Sequence, residues 1–203
     1  WHTITDLECY NLTYGERIGW KWDAVLAELQ LRGWTPPAGA TAAGGEPCRS
    51  ILDWGCGSGI AGRAFLDHFG AQSVTALRVW DRSAAAMTFA ARRARGKYPS
   101  LEVNTGSRED DSTPGETRPT FTLLISHVLT ELTPEQTEAL IALAARAQCV
   151  LWVEPGTHAV SRRLIAIRER LRESFNVIAP CTHSAQCGMQ SPGNERHWCH
   201  HFA

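Results

Sequence analysis

An acid and three alternating glycines stand at the end of an apolar run near residue 50. In the stretch Ile51-Leu52-Asp53-Trp54-Gly55-Cys56-Gly57-Ser58-Gly59, a carboxylate directly precedes a glycine turn. Such turns between a strand and a helix present backbone N–H groups to nucleotide cofactors. A carboxylate here would repel a pyrophosphate but can accept a charge-assisted hydrogen bond from an ammonium group. S-adenosylmethionine (AdoMet) carries an ammonium group and no phosphate, so Asp53 favours AdoMet over a dinucleotide.

Two other interpretations of the turn remain open. Gly57-x-Gly59-x-x-Gly62 also satisfies the dinucleotide fingerprint. A tight connection between a strand and a helix could use glycine only for its positive φ angles. The pattern formed by Asp53, Gly55, Gly57 and Gly59 nevertheless resembles the AdoMet-binding turn of class I methyltransferases.

A second acid, Asp81, follows the next predicted strand. Because ligands of open parallel sheets bind beyond the carboxyl ends of the strands, Asp81 is placed to accept hydrogen bonds from the ribose hydroxyls of AdoMet. It could instead cap the following helix, as Ser83 could. The predicted cofactor-binding residues are Asp53, Gly55, Cys56, Gly57, Gly59, Asp81, Arg82 and Ser126.

His127 is the candidate catalytic residue, because it follows the fourth predicted strand, where class I methyltransferases present groups to the methyl acceptor. It could act as a base or as a hydrogen-bond donor, although a lone histidine at a strand end is more often structural. Glu154, after the fifth strand, either lines the pocket or caps the next helix. An Asn/Asp-Pro-Pro-aromatic motif for amine methylation is absent from the sequence.

These residues need a parallel sheet to bring them together, and the chain alternates strands and helices from residue 50 onward. The predicted fold class is α/β, a Rossmann-like class I methyltransferase fold with a mostly parallel sheet and helices on both faces. The predicted strands are 50–54, 74–80, 101–104, 120–126, 149–153 and 175–179. The predicted helices are 14–33, 59–69, 83–97, 134–147 and 158–174.

Three segments are predicted along the chain. Residues 1–47 form an N-terminal helical flank and linker, residues 48–180 the AdoMet-binding domain, and residues 181–203 a Cys/His-rich segment of the same globule. Residues 34–47 read as a loop and residues 106–119 as a mobile loop. A chain that begins at Trp1 without a start methionine is expected to be a fragment.

The composition suits one domain of 203 residues with a net charge of −1, which gives no overall sign of nucleic-acid binding. Two arginine-rich clusters, around residues 92–97 and 162–172, are predicted to be solvated helix faces. The sequence contains no stretch of the roughly 20 apolar residues that a membrane span needs. No membrane association is therefore predicted.

Three of the seven cysteines crowd the C-terminal end: Cys181, Cys187 and Cys199. Thiolates at this spacing are plausible soft ligands for iron–sulfur or zinc. A zinc site could take its fourth ligand from His183, His197, His200, His201 or Cys9, whereas an iron–sulfur cluster normally wants a fourth cysteine. The alternative is three reduced cysteines in a packed hairpin.

Several motifs together carry a family resemblance: residues 53–59, Glu154-Pro155-Gly156-Thr157, Pro180-Cys181-Thr182-His183, Cys187 and Trp198-Cys199-His200. They resemble the methyltransferase-like family associated with the mitochondrial small ribosomal subunit, which has bacterial members, and this chain is similar to a bacterial-type member. The resemblance implies work in small-subunit assembly and contact with ribosomal RNA. It also implies an iron–sulfur cluster held by Cys181, Cys187 and Cys199, with a fourth cysteine beyond Ala203.

The leading prediction is therefore an AdoMet-dependent, methyltransferase-like protein acting on or at small-subunit ribosomal RNA. A non-catalytic assembly factor that binds AdoMet and uses the cysteines as a structural or redox-sensing element is the second. A small-molecule methyltransferase is the third, and an RNA cytosine-5 methyltransferase with Cys181 as nucleophile ranks last. The expected location is the cytoplasm of a bacterium, or the mitochondrial matrix if the source is eukaryotic.

Overall fold

Five parallel strands form a single sheet at the centre of the molecule. The computed structural model describes residues 1, 3–37, 49–106 and 121–199. The strands, in chain order, are β1 (Ser50–Trp54), β2 (Ala76–Trp80), β3 (Glu102–Thr105), β4 (Phe121–Ser126) and β5 (Cys149–Val153). Their spatial order is β3-β2-β1-β4-β5, and all four neighbouring pairs are parallel. The direction in which the chain crosses the sheet therefore reverses at β1, which lies between β2 and β4.

Helices cover both faces of this sheet. They are α1 (Ile4–Tyr10), α2 (Glu16–Leu31), α3 (Ile60–Phe69), α4 (Ala84–Lys97), α5 (Pro134–Ala144) and α6 (His158–Leu171). On one face, side chains of α2, α3 and α4 pack in a cluster that includes Trp22, Phe65 and Leu77. On the other face, α5 packs against a cluster that includes Leu52, Leu123 and Ile125. Because successive residues of a strand point to opposite faces, neighbours such as Ile51 and Leu52 belong to different clusters. The predicted Rossmann-like fold is confirmed.

The helical part of the N-terminal flank begins earlier in the chain than predicted. A capping box between Thr3 and Asp6 begins α1, and a π-helical turn at Asn11–Gly15 joins α1 directly to α2. The predicted start at residue 14 was therefore wrong, although Thr3-x-x-Asp6 is a capping signal visible in the sequence. Trp22, Leu26 and Leu29 follow helical spacing and are buried, which anchors α2 to the globule.

The predicted strand at 175–179 is wrong, because no strand is assigned to the described residues after β5. The segment after α6 is held instead by arginine side chains that donate to its backbone carbonyls. Arg168 donates to the carbonyls of His183 and Ala185, and Arg162 to those of Met189, Asn194 and His197. Arg162 and Arg168, which were predicted to be solvated, thus satisfy backbone carbonyls between His183 and His197.

The remaining strands and helices agree with their predictions to within a few residues. The predicted N-cap at Thr133 is confirmed as a capping box with Gln136. Most of the loop predicted at 34–47 and nearly all of the loop predicted at 106–119 lie outside the described residues. No helix in the described part of the chain is long and apolar enough to cross a membrane.

Candidate cofactor site

A pocket of about 450 Å³ opens at the carboxyl ends of the central strands, on the edge of the sheet where the crossover reverses. Its volume lies within the usual range for small-molecule sites. Of the nine residues predicted for cofactor binding or catalysis, seven line it: Gly55, Cys56, Gly57, Asp81, Arg82, Ser126 and His127. The two others, Asp53 and Gly59, do not reach its surface. The structure thus brings most of the predicted residues to one place, while their roles stay predictions.

The glycine turn between β1 and α3 fits tightly against the rest of the fold. Gly59 has a φ of +71° and is the N-cap of α3, and a Cβ at this position would lie 2.8 Å from Cβ of Ala90. A Cβ on Gly57, whose φ is +49°, would meet only the Nε1 atom of Trp1, at 3.8 Å. The turn is therefore packed against α4 on one side and open to the pocket on the other. The open side leaves room for the backbone of the turn to contact a bound ligand.

Asp53 lies at the core side of this turn and is 1% exposed. Its Oδ2 atom accepts a hydrogen bond from the backbone N–H of Gly62 at 3.0 Å, within the first turn of α3. Its Oδ1 atom is buried and has no hydrogen-bond partner among the described residues. Burial raises the pKa of Asp53 to about 7, although the Gly62 hydrogen bond and Arg63 partly oppose this shift. A buried carboxylate with an unsatisfied oxygen suits a hydrogen-bond donor, such as a cationic ligand group.

Asp81 connects the glycine turn to the next βα unit. Its Oδ2 atom accepts from the backbone N–H of Gly57 at 2.9 Å, and its Oδ1 atom accepts from that of Ser83 at 2.8 Å. Ser83, not Asp81, is the N-cap of α4, because its side chain accepts from the backbone N–H of Ala86. Each carboxylate oxygen retains capacity for a second hydrogen bond, so the ribose role stays a prediction.

Aromatic rings form much of the remaining pocket wall. Trp54 and Trp80, at the ends of β1 and β2, stack with ring centroids 4.6 Å apart and an angle of 27° between their planes. Tyr10 of α1 lines the pocket from the opposite direction and meets the ring of Trp1 edge-on at 4.8 Å. Arg82 and Glu131 form an exposed ion pair at the rim, with 3.4 Å between Nη2 and Oε2.

His127 is held by contacts that limit what it can do chemically. Its Nε2 atom lies 3.0 Å from Nζ of Lys21, and its Nδ1 atom lies 3.1 Å from Oγ of Ser126. Burial first, and the charge of Lys21 second, lower the pKa of His127 to about 4. The imidazole is therefore neutral at pH 7, with both nitrogens engaged. Its φ of 56° is unusual for a residue other than glycine, and such strain often marks a functional position.

Glu154 braces the segment that follows His127 and does not line the described pocket. Its Oε1 atom accepts from the backbone N–H groups of Val128 and Leu129, at 3.1 and 3.2 Å, and from the indole of Trp152 at 2.8 Å. Glu154 thus caps the short 3₁₀ turn Leu129–Glu131, whereas the next helix, α6, has Thr157 as its N-cap, so neither alternative considered for Glu154 is what the described residues show.

The three C-terminal cysteines are close enough to influence one another. Burial raises the pKa of the Cys199 thiol, and the charges of Cys181 and Cys187 raise it further. Up to Cys199, however, the described residues contain no group of three or more His, Cys, Asp or Glu side chains arranged to hold a metal ion. Candidate ligands His200 and His201 lie outside the described residues. Taken alone, the described residues do not complete a metal site.

Several pocket residues had not been predicted. Trp54 and Trp80 are the last residues of β1 and β2. Because the sequence had already predicted where these strands end, it could also have predicted that both rings line the pocket. Ile18 was predicted only as part of a helical apolar stripe. Lys21 of α2 contacts His127 but does not line the pocket, and no sequence pattern predicted this contact, because the two residues are more than a hundred positions apart.

The strand order β3-β2-β1-β4-β5, with helices on both faces of the sheet, is that of a Rossmann-like fold of the class I methyltransferase type. A comparison of the sequence with protein-family models identifies the family within this structural class. The family model described as "Mitochondrial small ribosomal subunit Rsm22" matches residues 46–203, and the chain belongs to that family. The family resemblance seen in the sequence is thus confirmed. No curated protein matches the chain.

Solved structures that are similar to the chain include several methyltransferases. A geranyl diphosphate C-methyltransferase from Streptomyces coelicolor A3(2) shares 20% identity over 53% of this chain and 35% of its own, with a TM-score of 0.35. An S-adenosylmethionine-dependent methyltransferase from Clostridium acetobutylicum shares 8% identity over 78% and 59%, with a TM-score of 0.45. The magnesium protoporphyrin IX methyltransferase of Synechocystis, with bound SAM, shares 19% over 64% and 54%, with a TM-score of 0.39. The chain thus spans about a third of the length of the first of these.

Proposed function

We propose that this protein binds AdoMet in the pocket at the carboxyl ends of β1, β2 and β4. The observation that carries the proposal is the buried Asp53, whose Oδ1 atom has no partner among the described residues, on the core side of the glycine turn that lines the pocket. The ammonium group of AdoMet would supply the missing partner, and Asp81 would accept from the ribose hydroxyls. When bound, AdoMet supplies an electrophilic methyl group. The chain supplies the pocket that orients it.

We further propose that the methyl acceptor is small-subunit ribosomal RNA, met during ribosome assembly. Support comes from the family to which the chain belongs, because the description of that family names the mitochondrial small ribosomal subunit. On this proposal the protein works where that subunit is assembled. The site is the cytoplasm if the source is bacterial and the mitochondrial matrix if it is eukaryotic.

A specific observation favours a second candidate, a non-catalytic assembly factor that binds AdoMet without turning it over. Every acid or imidazole that lines the described pocket already has a polar partner: Asp81 has Gly57 and Ser83, Glu131 has Arg82, and His127 has Lys21 and Ser126. His127 is also a weak base at a pKa of about 4. A methyl acceptor that must lose a proton would need a base from elsewhere. A small-molecule methyltransferase remains a third candidate.

Methyl transfer from radiolabelled AdoMet to small subunits isolated from cells that lack the protein separates the first two candidates. We expect label in the ribosomal RNA, and we expect the Gly57→Ala variant to transfer none. Binding to the subunit without incorporation of label would reject the enzyme and favour the assembly factor. Labelling of a small molecule in a cell extract, with none in the subunit, would favour the third candidate.

We also propose that Cys181, Cys187 and Cys199 contribute to a metal centre, an iron–sulfur cluster or alternatively zinc, completed by a ligand outside the described residues. The raised pKa of the Cys199 thiol supports it, because the charges of Cys181 and Cys187 contribute to that shift after burial. The arginines of α6 also fix the intervening carbonyls.

Anaerobic purification followed by iron and zinc analysis and visible absorption spectroscopy tests the metal proposal. We expect metal in the native protein and in the Cys149→Ser control, whose free cysteine lies in β5 and was not a candidate ligand. Simultaneous replacement of Cys181, Cys187 and Cys199 by Ser should abolish it. A colourless, metal-free native protein that still binds the small subunit would refute the proposal.

A further inference from the structure

Four side chains form a chain of hydrogen bonds at the wall of the pocket. Nζ of Lys21 meets Nε2 of His127 at 3.0 Å, and Nδ1 of His127 meets Oγ of Ser126 at 3.1 Å. The indole Nε1 of Trp22 donates to the same Oγ atom at 3.0 Å. Ser126 and His127 line the pocket, whereas Lys21 and Trp22 belong to α2. Both α2 residues lie outside the part of the chain that the family model matches.

The chemistry of these groups fixes where each hydrogen must be. An ammonium group has only donors, so Lys21 donates and Nε2 of His127 must be the acceptor. A neutral imidazole that accepts at Nε2 carries its proton on Nδ1, so His127 donates to Ser126. An indole also has only a donor, so the Ser126 oxygen accepts from both Trp22 and His127.

Both lone pairs of the Ser126 oxygen are therefore occupied by protein donors. A hydroxyl has two lone pairs and one hydrogen, so only the hydrogen of Ser126 is free to bind a ligand. The backbone keeps this arrangement in place, because His127 donates its own N–H to the carbonyl of Val153 at 2.9 Å. Ser126 thus presents a hydrogen-bond donor and no acceptor to the pocket.

We propose that the Ser126 hydroxyl donates to the carboxylate of the bound AdoMet, and that Lys21 and His127 are positioning residues that fix this polarity. The inference rests on the proposed AdoMet site. A donor without acceptor capacity selects an acceptor such as a carboxylate oxygen and disfavours the neighbouring ammonium group.

The position of Ser126 in the sheet supports a hydrogen bond from its hydroxyl to the AdoMet carboxylate. Trp54 of β1 pairs with Ile125 of β4, so Ser126 stands beside the first residue of the glycine turn. A Cβ on that residue, Gly55, would lie 2.6 Å from Cγ1 of Val128, which shows how closely the turn approaches the end of β4. With the ammonium of AdoMet assigned to Asp53, its carboxylate, bonded to the same carbon atom, falls within reach of the neighbouring strand.

Nitrogen NMR of ¹⁵N-histidine-labelled protein at pH 7 tests the proton positions without any ligand. We expect a protonated Nδ1 and an unprotonated Nε2 for His127, assigned by the signals that disappear in the His127→Asn variant. Lys21→Met should leave a mixture of tautomers, whereas Arg17→Met, which removes an exposed cation one turn away, should leave the spectrum unchanged. A protonated Nε2 in the native protein, or no change in Lys21→Met, would overturn the proposed arrangement.

Calorimetry with two probes tests the carboxylate contact. S-adenosylhomocysteine carries the ammonium and carboxylate groups, and 5′-methylthioadenosine carries neither. Ser126→Ala should weaken binding of S-adenosylhomocysteine about tenfold, as expected for a hydrogen bond to a charged group, and should leave 5′-methylthioadenosine unaffected. Lys21→Met should weaken only S-adenosylhomocysteine, by a smaller factor, and Arg17→Met should weaken neither probe.

The outcomes distinguish this inference from the proposed function on which it rests. Equal losses for both probes in Ser126→Ala, or no loss for either, would overturn the carboxylate contact while leaving the AdoMet site intact. A native protein that binds neither probe would overturn the AdoMet site and the contact together.

Discussion

Replacing Asp53 by Asn is expected to weaken S-adenosylhomocysteine binding at pH 7.5 by about 10- to 100-fold, the effect of losing a hydrogen bond to a charged group. The same change should remove the pH dependence of binding between about pH 5.5 and 7.5. Asp53 has a pKa of about 7 because it is buried, so in the native protein much of it is neutral below that pH. Affinity for an ammonium-bearing ligand should therefore rise with pH as Asp53 ionises.

The fold itself should show the opposite dependence on pH. Unfolded Asp53 loses its proton near pH 4, whereas the folded group keeps it to about pH 7. The stability that the protonated group contributes is thus fully present below about pH 4 and declines as pH rises to 7. Between pH 5 and 8, the melting temperature of the ligand-free native protein should fall more than that of Asp53→Asn.

Asp23→Asn, which neutralises an exposed acid on α2, is the matched control and should bind like the native protein at every pH. Calorimetry gives the affinities, and differential scanning fluorimetry gives the melting temperatures. Native binding with unchanged pH dependence in Asp53→Asn would contradict the assignment of the ammonium group to this carboxylate.

Alanine substitutions in the glycine turn are expected to separate folding from binding. Gly59→Ala should destabilise the protein by about 2–5 kcal/mol, because a left-handed φ adds its cost to an overlap with Ala90. Gly57→Ala should cost only about 1–2 kcal/mol, because its methyl group enters the open pocket. That methyl group should nevertheless abolish binding of S-adenosylhomocysteine.

Gly33→Ala is the control for the cost of the backbone alone. Gly33 also has a φ of +71°, and a Cβ there would meet nothing within 4 Å. It should match Gly57→Ala in urea denaturation and bind S-adenosylhomocysteine normally. If Gly57→Ala also bound S-adenosylhomocysteine normally, the glycine turn would not be part of the cofactor-binding site.

Much of the sheet and its cofactor edge could be predicted because local patterns determine both. The strand Ser50–Trp54 agrees with its prediction residue for residue, since an apolar run that ends in glycines leaves little choice of register. Because parallel strands align their carboxyl ends, knowing where β1, β2 and β4 end was enough to bring Gly57, Asp81 and His127 into one pocket.

What could not be predicted depends on contacts between distant parts of the chain. The polarity of Ser126 is set by Lys21 and Trp22, more than a hundred residues earlier. The apolar run at 175–179 was predicted to be a strand, but none is assigned there, and the carbonyls of Ile178 and of the following Pro180 accept from Arg32 of the N-terminal flank. The apolar pattern of a sequence does not determine whether backbone carbonyls will accept hydrogen bonds from a neighbouring strand or from an arginine side chain.

Arg32 also donates to the carbonyl of Cys181, so the end of α2 is tied directly to the beginning of the cysteine segment. The same helix buries Trp22 against the sheet and reaches His127 through Lys21. For recombinant work, the two ends of this chain are therefore one structural unit. A shortened expression product that begins at residue 48 would remove the apolar face of α2 from the core and the contacts of Arg32 with the cysteine segment, so assays of the isolated central region would measure a damaged protein.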